Sequence, residues 1–128
     1  MPPTITVKLE NGSATIIQDP DPATLNFGDT VTIGLSGFSK NAQITEVKIY
    51  DNATVNKQDA KGSLIGTWSR SNPNSEPIGE VTIKEASNSV TLEDTDATSD
   101  EKYWYGLTVV DGSQLFNPDP ELIVKKQE

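Results

Sequence analysis

The sequence predicts an all-β protein folded as one antiparallel β-sandwich, immunoglobulin-like in the broad sense, with about seven to nine strands. Apolar residues recur with a period of two, where a helix would show a period of about 3.6. Gly, Pro, Asn and Asp separate these short runs. The chain has 128 residues, the length of one domain, so we expect a single domain over residues 1–128.

The N-terminal segment predicts a hairpin followed by a break. Thr4–Leu9 alternates apolar and polar residues, and Asn11-Gly12 is a strong signal for a tight turn. Ala14–Gln18 then predicts the returning strand. The sequence Asp19-Pro20-Asp21-Pro22 ends it, because proline has no N–H to donate to a central ladder. We interpret this segment as redirecting the chain between sheets.

The middle of the chain contributes two clear strands and two polar stretches. Thr30–Leu35 and Thr45–Tyr50 both alternate and predict strands. Asp51–Ser63 is almost entirely polar and predicts a long exposed connection. Leu64–Trp68 predicts a short strand, and Ser69–Pro77 is rich in Ser, Asn and Pro, which is typical of a loop.

The strongest strand signal lies in the last third, at Lys102–Val110, which is rich in aromatic and β-branched residues. Before it comes the acidic segment Glu93–Glu101, which predicts a loop. Asn117–Pro120 interrupts the return after the Asp111-Gly112 turn. Shorter alternating runs complete the set: Glu80–Lys84, Ser89–Leu92, Gln114–Phe116 and Glu121–Lys125.

The alternation also predicts which side chains form the core. In each strand, every second residue is expected to point inward. The expected inward residues are Val31, Ile33, Leu35, Val47, Ile49, Val81, Ile83, Leu92, Tyr105, Leu107 and Val109.

The run Tyr103–Val109 resembles strand F of fibronectin type III and immunoglobulin-like sandwiches, where a tyrosine begins a strand of alternating apolar residues. The resemblance is at the level of the fold and indicates no specific family. It implies that Tyr103 is a tyrosine corner, with its hydroxyl bonded to upstream backbone. It also implies that Val31–Leu35, Ser89–Leu92 and Glu121–Lys125 are strands B, E and G.

Charge and composition exclude several classes of function. The chain has 10 basic and 19 acidic residues, a net charge of −9, so we expect neither nucleic acid nor an anionic membrane as partner. No apolar run approaches the roughly 18–20 residues of a membrane span. No secretory signal follows Met1, so we expect either a cytoplasmic protein or a secreted one with its leader removed.

The acidic segment Glu93–Glu101 is the candidate metal site. Asp94, Asp96 and Asp100 offer the closely spaced carboxylates that calcium prefers, although the spacing is not that of an EF-hand. The alternative is a solvated loop that discourages strand pairing. Calcium is therefore a possible ligand, and no other cofactor is expected, because Cys and His are both absent.

Trp104 is the candidate ligand or partner surface. If Tyr103 and Tyr105 point inward, Trp104 points outward beside Gly106, which has no side chain. Such a platform suits a sugar ring or a protein contact. Trp68 joins it if both tryptophans lie on one sheet. The alternative is that Trp104 is covered by a loop or belongs to the core.

The sequence shows no catalytic constellation. Histidine and cysteine are absent, and no nucleophile elbow or phosphate-binding glycine loop is present, so we do not expect an enzyme. The favoured hypothesis is a non-catalytic binding or structural module, with a protein partner or self-association as an assembly subunit. The alternative is a carbohydrate-binding module that uses Trp104, with calcium as a possible helper.

Overall fold

A computed structural model describes residues 3–72, 77–98 and 100–127. Within these ranges the chain forms eleven β-strands, and no helix is long and apolar enough to cross a membrane. The strands are β1 Thr4–Glu10, β2 Ser13–Asp19, β3 Ala23–Asn26, β4 Thr30–Ser36, β5 Gln43–Val55, β6 Gln58–Ser69, β7 Val81–Glu85, β8 Val90–Asp94, β9 Glu101–Asp111, β10 Gln114–Phe116 and β11 Glu121–Lys126.

The strands form two sheets with a shared core, which confirms the predicted β-sandwich. Sheet A has the order β2-β1-β4-β8-β7, and sheet B has the order β3-β11-β9-β5-β6, with β10 also paired to β9. The pairs β1–β4 and β3–β11 are parallel, so the sheets are mixed and not wholly antiparallel. The strand count lies above the expected seven to nine, partly because prolines divide two runs. Asp19–Pro22 separates β2 from β3, and Asn117–Pro120 separates β10 from β11.

Part of the strand order matches that of a variable-type immunoglobulin sandwich, while β1 and β2 extend sheet A, with β1 parallel to β4. In sheet A, β4-β8-β7 takes the places of strands B, E and D, and in sheet B, β11-β9-β5-β6 takes those of G, F, C and C′. The tyrosine corner implied by the resemblance is not formed. The Tyr103 hydroxyl donates to the Glu101 carboxylate instead of to upstream backbone, because Glu101 lies two residues earlier on the same face of β9.

The core lies between the two sheets and contains the residues that the alternation predicts. All the expected inward residues are buried except Leu35, which is partly buried and packs against the others. The structure adds several residues to that inward set. These are Ile5, Val7, Ile16, Ala23, Leu25, Ala42, Ile44, Trp68, Val90, Tyr103 and Ile123.

The segment Asp51–Ser63 is not a connection but part of a long hairpin, which corrects the prediction. Strands β5 and β6 pair almost continuously and turn at Asn56-Lys57, where both residues have positive φ, 51° and 67°. Two consecutive positive φ values are typical of a tight hairpin turn. The pairing of β5 with β9 ends at Asp51, so the tip of the hairpin meets solvent on both faces and carries polar residues on both.

Candidate functional site

Four apolar side chains line up across the outer face of sheet B, one from each of four neighbouring strands. Tyr50 is the register partner of both Leu64 and Trp104, and Trp104 is also the partner of Leu122. Residues directly opposed in a sheet have Cβ atoms about 4.5–5.5 Å apart. These four residues, here called the apolar row, therefore form a continuous band from the edge strand β6 to β11.

Trp104 is held in a defined position within the apolar row. It lies on the outer face and is partly buried, while its neighbours Tyr103 and Tyr105 point into the core. Its indole Nε1–H donates a 2.9 Å hydrogen bond to Oδ1 of Asn52. This hydrogen bond restricts the orientation of the indole ring.

Gly106 is buried and leaves a shallow space next to the apolar row. A Cβ built on it would lie 3.6 Å from Pro120 and 3.7 Å from the ring of Tyr50. A cleft of about 240 Å³ lies at this point. The ammonium of Lys61 lies 4.6 Å from the centre of the Tyr50 ring, so it covers part of that ring. Gly106 thus shapes the surface without offering a side chain to it.

Trp68 does not join this surface, which corrects the prediction. It is only 2% exposed and lies on the inner face of β6, opposite Val47. Its direction follows from this pairing, because register partners share a face and Val47 is in the core. Nearer the hairpin tip the register shifts after Ile49, where the partner on β6 changes from Gly66 to Leu64. Because of this bulge, Leu64 and Trp68 point to opposite faces, although strict alternation would place them on the same one.

A larger polar cleft of about 650 Å³ lies beside Asn52, below the hairpin tip. Asn52 donates a 3.1 Å hydrogen bond to Asp59, and Lys102 forms a 2.9 Å ion pair with the same carboxylate. The hydrogen bond from Lys102 lowers the pKa of Asp59. The side chain of Trp104 is thereby connected through Asn52 to a fixed pair of charges.

The predicted calcium ligands do not converge on one point. Asp94 and Asp96 lie 3.6 Å and 3.2 Å from the ammonium of Lys125. This ammonium occupies the position between the two carboxylates where a calcium ion would have to bind. Asp100 lies apart and accepts a 2.6 Å hydrogen bond from the backbone N–H of Gln127. In the part of the chain that the structure describes, no group of three or more acidic side chains is arranged to hold a metal ion. The arrangement gives calcium no support.

Lys125 is the centre of a buried charge cluster that also includes Asp94, Asp96 and Glu80, here called the Lys125 cluster. Its side chain is 1% exposed, and Glu80 approaches it at 3.3 Å. Burial raises the pKa of Asp94. Contact with Asp96 raises the pKa of Glu80, and the same contact lowers the pKa of Asp96.

Sequence reasoning missed Lys125 and Tyr50, although alternation contains the signal for both. Ile123 points inward, so a strict period of two also turns Lys125 inward. Ile49 points inward, so Tyr50 points outward beside Trp104. The partners of these residues come from strands distant in sequence, and that pairing is not visible in the alternation.

Comparisons with known proteins do not identify a family for this chain. No protein-family model matches the chain, and no curated protein is a significant match. Among solved structures, one of murine CRIg covers 98% of each chain at 8% sequence identity, with a TM-score of 0.43. The assignment of the fold rests on the strand order described above.

Proposed function

We propose that this chain is a non-catalytic assembly module that pairs with a second copy of itself along strand β6 and the adjoining apolar row. The observation that carries the proposal is the free edge of β6. This strand has twelve residues, and no described strand pairs with its outer side. Leu64 and Ile65 are 53% and 45% exposed there. Unpaired backbone groups beside exposed apolar side chains are a template for another strand.

The other sheet edges are protected in ways that β6 is not. Strand β3 has four residues, and β7 has five that end in Lys84-Glu85. Strand β2 ends at Asp19-Pro20, where the proline cannot donate. In β6, the stretch Gly62–Ser69 contains neither charge nor proline. Natural proteins use short length, charge and proline to block edge pairing, and β6 lacks these protections over most of its length.

A second copy fits this edge because the local charge is balanced. The chain carries a net charge of −9, which opposes self-association in general. Strand β6 contains one acid, Asp59, and one base, Lys61, both near the hairpin tip. A two-fold axis at Leu64-Ile65 would bring four apolar side chains together and keep the charged tips of the two copies apart. Such an isologous contact is the commonest form of homodimer.

A carbohydrate is less well suited to the same face. Sugar recognition needs polar groups around the aromatic ring, and the indole N–H of Trp104 is already bonded to Asn52. The row continues into the aliphatic Leu64 and a free backbone edge, which a strand partner satisfies. The protein-partner hypothesis therefore fits these contacts better than the carbohydrate alternative.

The test is native mass by light scattering across a concentration series, without added calcium. We expect the wild-type protein to move from monomer to dimer as concentration rises. Leu64→Asp should remain monomeric, because it places a carboxylate at the proposed axis. The matched control is Ile17→Asp on β2, since Ile17 is 45% exposed on the opposite sheet. This control should dimerise like the wild type.

Three results would overturn the proposal. They are a wild type that stays monomeric at every concentration, a Leu64→Asp variant that still dimerises, or an Ile17→Asp variant that loses dimerisation equally. Thermal melts followed by circular dichroism confirm that both variants are folded. Binding of the monomer to a glycan array, abolished by Trp104→Ala, would favour the carbohydrate alternative.

A further inference from the structure

The Lys125 cluster places an amine and a carboxyl group from opposite sheets together in the core. Lys125 belongs to β11 of sheet B, and Asp94 belongs to β8 of sheet A. Their side chains are 1% and 0% exposed, and Nζ lies 3.6 Å from Oδ1 of Asp94. A buried ion pair gains stability only when its remaining polar atoms are also satisfied. Here Oδ2 of Asp94 has no hydrogen-bond partner among the described residues.

A proton carrier lies against the same amine. Oδ2 of Asp96 is 3.2 Å from Nζ of Lys125, and Oε2 of Glu80 is 3.3 Å from it. Asp96 is also adjacent to Asp94, because its backbone N–H donates a 3.0 Å hydrogen bond to Oδ1 of Asp94. Asp96 is therefore within reach of both reacting groups, and its carboxylate can accept a proton from the amine and return it to the neighbouring carboxyl group.

We propose that Lys125 and Asp94 condense within the folded chain to form an isopeptide bond between Nζ and Cγ, with Asp96 as the proton carrier. One ammonium proton first passes to the Asp94 carboxylate, which gives a neutral amine and a neutral acid. Nζ then attacks Cγ, and the Nζ–Cγ bond forms as a Cγ–O bond breaks. Asp96 carries a second proton from nitrogen to the leaving hydroxyl. The ammonium and carboxylate together yield one amide and one water, with no other reactant.

Burial favours this condensation. The two groups are held in contact by the sheets, which removes the entropy cost of a bimolecular encounter. Two buried charges become one neutral amide, which relieves their desolvation. Burial also raises the pKa of Asp94, which favours its reactive neutral acid.

The protonation state of the Lys125 amine limits the rate of the reaction. Burial acts to lower the pKa of Lys125, but the hydrogen bonds that its ammonium donates to Asp96 and Glu80, together with the charge of Asp94, outweigh this effect and raise the pKa. The resting form is therefore the ammonium, and the neutral amine is a minor form. We expect the bond to form slowly after folding. The product would join the two sheets covalently in a chain that has no cysteine for a disulfide.

The test is the intact mass of the wild-type protein, measured after denaturation. We expect a species one water lighter than the sequence requires. A tryptic digest should contain a branched peptide that joins the Asp94 segment to the Lys125 segment, and trypsin should not cut after Lys125. Lys125→Arg should show its full mass, because it keeps the charge but lacks the reactive amine. The matched control Lys126→Arg, at the exposed neighbour, should still lose one water.

The outcomes separate this reaction from other losses of water. A wild type at full mass, fresh and after prolonged incubation, would overturn the proposal, and this result does not depend on the folding of any variant. Asp111-Gly112 can also lose water by forming a succinimide, but that product gives a linear peptide and persists in Lys125→Arg. That pattern would likewise overturn it. Asp96→Asn should slow the loss of water at least tenfold, and an unchanged rate would exclude Asp96 as the proton carrier.

Discussion

The hydroxyl of Tyr105 donates a 3.0 Å hydrogen bond to the side-chain oxygen of Gln18, which joins sheet B to sheet A inside the core. The amide nitrogen of Gln18 donates to the backbone oxygen of Leu122 at 3.1 Å and to Asp21 at 2.9 Å. Gln18 is therefore satisfied although it is only 7% exposed. This one side chain connects β2, β9, β11 and the crossover at Asp19–Pro22.

Tyr105→Phe should lower the free energy of unfolding by about 1–2 kcal/mol, because it leaves the oxygen of Gln18 buried without its donor. Urea denaturation followed by circular dichroism measures the change. Tyr50→Phe is the matched control, since Tyr50 lies on the outer face of sheet B, and it should change stability by less than about 0.5 kcal/mol. Equal losses for the two variants would contradict the role given to the Gln18 contact.

Alkaline pH should destabilise the protein through Tyr105. Burial raises the pKa of Tyr105, so above about pH 10 the unfolded chain releases this proton while the folded chain retains it. The unfolded state then binds fewer protons, and stability falls by about 1.4 kcal/mol per pH unit for this one group. Urea midpoints between pH 9 and about pH 11 measure the slope. Tyr105→Phe should show a shallower slope, and an equal slope would contradict this assignment.

The two tryptophans should report opposite environments in fluorescence. Trp68→Phe leaves Trp104 as the only tryptophan, and Trp104→Phe leaves Trp68. Because Trp68 is 2% exposed, its emission should be blue-shifted and resist quenching by acrylamide. Trp104 is only partly buried, so it should emit at longer wavelength and be quenched more readily. Equal quenching in the two variants would contradict the opposite placements.

Alternation predicts most of the sandwich because burial of one face produces a period of two. In β9, the residues from Tyr103 to Val109 follow it, and the expected side chains are buried. The rule fails in the hairpin of β5 and β6, where the tip beyond Asp51 has no core to face and so carries no apolar pattern. It also fails between Leu64 and Trp68, because the bulge after Ile49 places these two residues of β6 on opposite faces.

The candidate sites were less predictable than the strands. The outward direction of Trp104 follows from local alternation, but its neighbours Tyr50 and Leu122 depend on the order of strands in sheet B. The sequence predicts Asp94 and Asp96 as candidate calcium ligands. Their cation is Lys125, about thirty residues later in the chain, and only the packing of β8 against β11 brings the charges together.

The pairing of β3 with β11 has a consequence for synthesis on the ribosome. Ala23 is the register partner of Ile123, a hundred residues later, and β11 lies between β3 and β9. Sheet B therefore cannot close until β11 has left the exit tunnel. Such distant pairings slow folding, because the chain loses the entropy of a long loop before the stabilising contacts between the strands form. Until that moment the sides of β3 and β9 that pair with β11 lack their partner strand.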